Sequence, residues 1–291
     1  MSTLELEPEV LERLGRPIRG PSALGRDRTR FTRLAWTLSV LDFKLKFFGS
    51  VLGYLWQLMR PLLLFGVLYV VFTQFLNLTS DLPYYPVSLL LGIVLFQFFA
   101  EATGASIRSI PYREGLIRRV DFPRLVIPVA SVLTAVFNLA LNLVPVFIFL
   151  LIAGGRPRLS WLELPLVLLM LIGLALGLAM MLSALFVRYR DVEPIWDVVV
   201  QALFYATPIL YSIQVVIDKA GIHLARLIMC SPFATVVQQL RHAIIDPRYL
   251  SAGQIFGTPL GLLIPVGLTL GTLIVGWAVF RRAAPRVAEE L

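Results

Sequence analysis

Six stretches of this chain, residues 61–80, 82–100, 125–155, 164–187, 198–217 and about 259–280, contain no Asp, Glu, Lys or Arg. A helix needs roughly 20 mostly apolar residues to cross the hydrocarbon core of a bilayer, and inside that core a helix satisfies its own backbone polar groups. These windows exclude the soluble fold classes. Composition agrees: 58% of the residues are hydrophobic, 15% are charged, and the mean hydropathy is +0.81. The expected fold is an all-α integral membrane protein with six transmembrane helices. The third window exceeds the length of one span and holds Pro128 and Pro145, so a tilt, a kink or an interfacial start is expected there.

The basic residues orient these spans. No apolar signal-like core occurs in residues 1–30, which begin acidic and turn basic. With the N-terminus inside, twenty of the 26 Lys and Arg residues fall on the cytoplasmic side and six on the other. Both termini are therefore expected in the cytoplasm. The net charge of +8 then describes a basic face against anionic lipid and calls for no nucleic acid.

Residues 1–29 read as a partly disordered cytoplasmic tail, 61–280 as the six-helix transmembrane domain, and 281–291 as a C-terminal cytoplasmic tail. Between tail and first span, within 30–60, Leu34, Leu38, Leu41, Leu45, Phe48 and Leu52 recur at helical spacing. Arg30, Arg33, Asp42, Lys44 and Lys46 lie off that stripe. This predicts an amphipathic helix in the cytoplasmic interface anchored by Trp36 and Trp56, or alternatively one packed on other protein. Gly49, Gly53 and Pro61 predict a break before the first span. The external loop 218–258 is strongly apolar and reads as helix, break at Ser231-Pro232, helix, as in segments that dip partway into a membrane.

Catalytic constellations are not evident. His223 and His242 have no zinc-like spacing, and Cys230, the only cysteine, excludes an intrachain disulfide. No nucleophile has an obvious base, which disfavours an enzyme; a lipid-acting transferase with scattered residues is the rival from that class. The spans carry no ionisable residue of the kind ion-coupled transporters use, and the chain has no phosphate loop. Transport would draw its energy from an ATPase on another polypeptide.

Two cytoplasmic turns suit such a partner. One carries Tyr112, Arg113, Glu114, Arg118, Arg119 and Asp121; the other carries Arg188, Tyr189, Arg190, Asp191 and Glu193. Mixed charge with aromatics fits docking better than topology signalling, which needs positive charge alone. For a substrate path, Phe65, Tyr69 and Phe72 share one face of the first span, while Phe204, Tyr205 and Tyr211 cluster in the fifth. Aromatic faces stack on sugar rings, although such stripes also serve packing and lipid contact.

Four motifs in order carry a family resemblance over residue 30 to the C-terminus: Lys44, Lys46, Leu52, Gly53, Trp56 and Pro61 before span one; GLIRRVDFPRLVIPVASVL; RYRDV; and TPILY. With these the chain resembles the ABC-2 type permeases of the polysaccharide-export branch. Thr207-Pro208 and Ser231-Pro232 depart from the Ser-Pro and Asn-Pro common in that branch. The resemblance implies a homodimer with two copies of a separate ATPase that binds ATP and Mg, so that this chain itself holds no cofactor. It also implies coupling helices in the two turns and re-entrant helices between spans five and six. The implied setting is a bacterial inner membrane, and the implied substrate a lipid-linked polysaccharide; the alternative is a small lipophile or drug.

Overall fold

The structure, a computed structural model, describes residues 28–48, 53–75, 83–115 and 123–284. Helix α1 (Arg28–Phe47) is followed by α2 (Tyr54–Val70), which continues into a π-turn, Val71–Phe75. Then come α3 (Tyr85–Ile107), α4 (Val126–Ile152), α5 (Glu163–Arg188) and α6 (Val192–Ala206). Next are α7 (Ile213–Met229), α8 (Pro232–Leu240) with a π-turn Arg241–Ile245, α9 (Ala252–Phe256) and α10 (Leu263–Ala283). No strand occurs among the described residues.

Four helical segments are long and apolar enough to cross a bilayer: Tyr85–Ile107, Val126–Ile152, Leu159–Arg188 and Leu260–Ala283. The expected first and fifth spans are shorter. Helix α2 has 17 residues before its π-turn. Helix α6 has 15 and, at about 1.5 Å per residue, falls short of a core about 30 Å thick. The fifth window of 198–217 is thus corrected. Its helix starts earlier, at Val192, and ends at Ala206, because Thr207 turns extended (φ −85°, ψ 142°) ahead of Pro208. Helices α7 and α8 meet at a 110° bend, with Pro232 at the start of α8. This is the expected helix–break–helix.

Helix α3 forms the centre. It is apolar on every side, and Leu89, Leu90, Leu91, Ile93, Val94 and Leu95 are wholly buried, as a helix surrounded by others requires. Helices α2, α4, α5, α6 and α8 pack around it. Helix α10 lies outermost, held chiefly by α5, with Leu268, Leu270 and Ile274 exposed. Lipid is as apolar as these side chains, so close contact rather than water exclusion drives this pairing. Gly177 and Gly276 make it close: a Cβ on Gly276 would overlap the Gly177 carbonyl oxygen.

Helix α1 docks on α4 rather than standing apart. Ala35 and Ser39 are buried, the Thr134 hydroxyl donates to the Ser39 carbonyl at 3.2 Å, and Trp36 and Phe43 meet Phe137 edge-on. The predicted stripe is split by this docking. Leu34 and Leu38 face the bundle, Leu41, Leu45 and Phe48 stay exposed, and Leu52 lies outside the described residues. Helix α2 starts directly after Gly53 (φ 46°), and Pro61, expected at a break, sits inside it. Residues 1–27 of the N-terminal tail and Gly49 lie outside the described residues, as does the C-terminal tail beyond Ala284, while Arg28 and Thr29 already belong to α1.

Candidate functional site

The charged segments converge at one end of the bundle. Arg108, at the C-terminal end of α3, donates to the Glu193 carboxylate on α6 at 2.7 Å, tying one turn to the other. That hydrogen bond, reinforced by the carboxylate's charge, holds the Arg108 guanidinium above its usual pKa. Arg113 pairs with Asp42 of α1. Lys46 of α1 reaches Glu101 at 2.6 Å, and Glu101 also accepts from the Asn138 amide at 2.6 Å. A cavity of about 440 Å³ lies among Asp42, Lys46, Glu101, Arg108 and Arg113. The predicted docking residues therefore divide by role. Arg113 and Glu193 are engaged within the chain, while Tyr112, Arg188, Tyr189, Arg190 and Asp191 are exposed. Arg188 lies over the Tyr189 ring at 5.4 Å. Glu114 is half-buried, and Arg118, Arg119 and Asp121 lie outside the described residues.

The aromatic candidates also divide. Phe72, Phe204 and Tyr205 line a groove of about 510 Å³ between α2, α3 and α6, together with Phe96, Gln97 and Gln201. Phe204 is set edge-on by Phe96 at 4.9 Å and by Tyr205 at 5.3 Å. Phe65 and Tyr69 instead stack on each other at 5.7 Å, with Phe65 tilted towards Phe149 of α4. Tyr211 donates to the Ala206 carbonyl at 3.2 Å and so closes the end of α6. Nothing that lines the groove is ionisable except the Tyr205 phenol. It offers ring faces and two amides. Gln97 and Gln201 were missed because a single polar residue in an apolar span reads as tolerated rather than as lining.

Past α6 the backbone is irregular through residues 207–212, and its carbonyls need donors at membrane depth. Arg241 supplies them. It is 1% exposed and donates to the carbonyls of Pro208 (2.5 Å), Ile209 (2.8 Å) and Tyr211 (3.4 Å), while the Tyr85 hydroxyl serves Leu210 (2.8 Å). No carboxylate pairs with Arg241 among the described residues, so carbonyl dipoles carry the stabilisation. The signal was present in the sequence as one Arg within the apolar run VVQQLRHAII. His242, beside it, has Nδ1 2.7 Å from the Tyr249 carbonyl, and His223 is exposed.

A multi-helix membrane chain with a mixed-charge end and an uncharged groove has the layout of a transport permease. The chain belongs to the ABC-2 type transporter family, which matches residues 33–245. It is 29% identical over 255 residues to the O-antigen export system permease protein RfbA of Klebsiella pneumoniae, covering 86% of this chain and 92% of that one. It is 26% identical over 269 residues to the protein of the same name from Myxococcus xanthus, covering 92% and 99%. It is 24% identical over 249 residues to the polysialic acid transport protein KpsM of Escherichia coli, covering 84% and 91%.

Proposed function

We propose that this chain is the membrane subunit of an ATP-driven exporter that carries a lipid-linked polysaccharide from the cytoplasm to the cell exterior. The observation that carries the reading is the groove formed by Phe72, Phe204, Tyr205, Gln97 and Gln201. Aromatic rings and amides suit a sugar chain sliding through many weak contacts. The names of the relatives point the same way, to O-antigen and polysialic acid. The chain works as a homodimer in a bacterial inner membrane with both termini cytoplasmic. Two copies of a separate ATPase hold ATP and Mg. The α7–α8 pair dips into the membrane from outside as a re-entrant hairpin, and Phe65, Tyr69 and Tyr211 support the groove from its margins.

Helix α6 links the two working ends. Glu193 near its start is held by Arg108, the Trp196 indole donates to the Thr103 hydroxyl at 3.0 Å, and Gln201, Phe204 and Tyr205 lie further along the same rod. A push on the turn Arg188–Asp191 is thereby delivered to the groove.

Depletion of the protein in its host is expected to leave long polymer on its lipid carrier inside the cell. Complementation with Phe72→Ala/Phe204→Ala is expected to cut export at least about fivefold while assembly and basal ATPase activity stay near the parent's. Surface glycan at the parent's level in that variant would remove the groove from the path. No accumulation on depletion would shift the assignment to a small-lipophile exporter. A separate expectation concerns the exposed turn. Arg190 and Asp191 make no ion pair among the described residues, so Arg190→Glu and Asp191→Lys, the latter at the start of α6, should shift the melting temperature by no more than about 4 °C. Each should weaken ATPase association or its coupling to transport; full transport by both would reject the docking role.

A further inference from the structure

On the side of the α7–α8 hairpin, α5 and α10 diverge from their close crossing at Gly177 and Gly276. The space they leave is an apolar crevice of about 550 Å³, floored by Thr235, Val236 and Gln239 of α8. Its α5 wall runs from Glu163 to Gly173. Ten residues at about 1.5 Å each make it about 15 Å deep, half of a hydrocarbon core about 30 Å thick. The crevice is one leaflet deep. Its lips are apolar and uncovered: Leu166 is 71% exposed, Leu169 64% and Leu270 53%.

The mouth sits at the membrane interface. The turn leading into α5 is fastened to the hairpin by Ser160 donating to the Ala243 carbonyl (2.6 Å) and Trp161 to the Ile244 carbonyl (3.2 Å). Trp favours this depth. At the mouth stands Glu163, half-buried, with one carboxylate oxygen accepting from the Gln239 amide at 2.7 Å. No Lys or Arg pairs with it among the described residues, and none lines the crevice. A half-buried carboxylate at the head of an apolar slot is complementary to a molecule with an ammonium at one end and a hydrocarbon chain behind it. A second copy of this chain fits poorly. A two-fold contact over this face would bring two carboxylates and no cation.

We propose that the crevice between α5, α8 and α10 binds an aminophospholipid of the phosphatidylethanolamine class, one acyl chain in the slot and its ammonium on Glu163. In the orientation proposed above this is an outer-leaflet site, but its occupancy depends neither on that orientation nor on the substrate exported.

The test uses the full chain in its native complex, purified in mild detergent and offered equal amounts of phosphatidylethanolamine and phosphatidylcholine, with retained lipid measured by native mass spectrometry. The parent should keep one phospholipid per chain with about tenfold preference for the ethanolamine headgroup. Glu163→Gln keeps the shape and should still retain lipid, with that preference reduced to near one. Val266→Trp and Leu270→Trp fill the slot and should lower retention about tenfold. Retention in the parent no higher than in the folded tryptophan variants would overturn the site, as would an unchanged headgroup preference in Glu163→Gln. In a Cys230→Ser background, a Leu166→Cys variant that forms a disulfide between two copies would place another chain over the crevice and overturn it equally. If the tryptophan variants fail to fold, Glu163→Gln alone decides.

Discussion

Replacing Arg241 by methionine, close in length but without hydrogen-bond donors, is expected to lower stability by about 3 kcal/mol. Two short hydrogen bonds, to Pro208 and Ile209, vanish together with the longer one to Tyr211. Each buried acceptor left without a donor costs about 1–3 kcal/mol. Losing the burial cost of the charge offsets part of that sum. At about 2–4 °C per kcal/mol, the melting temperature should fall by about 6–12 °C. The break after α6 loses its staple, so export should fall with it. Arg241→Lys carries the charge but has no planar fork to span adjacent carbonyls, and should recover only part of the loss. Thermal melts of the purified chain decide the point. A methionine variant within about 2 °C of the parent would mean that the 207–212 segment stands without Arg241.

The second large effect compares two glycines on one helix. Gly276→Ala should disrupt the α5–α10 pair, because the added Cβ meets the Gly177 carbonyl and the helices must separate. Overpacking of that kind costs about 1–3 kcal/mol. Here the cost should sit at the upper end, since backbone rather than a flexible side chain stands in the way. Gly271→Ala, five residues earlier on α10, places its Cβ in open space. It should be neutral or slightly stabilising, because alanine is the better helix former by about 1 kcal/mol. Folded yield and melting temperature measured side by side test the crossing. Equal behaviour of the two variants would refute it.

Much of the fold was legible because membrane solvent imposes a coarse rule. A long uncharged apolar run has few structures open to it, so α3, α4, α5 and α10 fall close to their windows. The helix–break–helix of α7 and α8 was equally readable from Ser231-Pro232. The fifth window misled for a physical reason: apolarity continues past Ala206, but Pro208 ends the helix, and hydropathy alone does not register that. The docking of α1 was half legible. Its helical period was visible, yet which face meets α4 depends on Ala35 and Ser39 being small enough for close approach, a preference that a hydrophobic stripe does not express.

The candidate site residues show the same division. Type and rough depth are local properties, so the charged turns and the aromatic candidates could be named from sequence. Convergence is not local. Only packing around α3 could set Phe72 of the π-turn after α2 beside Phe204 of α6 and leave Tyr69 on Phe65, which leans on α4. Only packing could turn Arg113 and Glu193 inward to Asp42 and Arg108, leaving Arg190 and Asp191 outward. Arg241 is the clearest case. In sequence it is one cation in an apolar run, and its meaning comes from the carbonyls of Pro208, Ile209 and Tyr211, some 30 positions away, which a broken helix left without backbone donors. Apolar length decides that the chain enters a membrane, since each span partitions largely by its own composition. Which side chains share a groove, a staple or a lipid slot depends on contacts between spans distant in sequence, and the folded bundle alone brings them together.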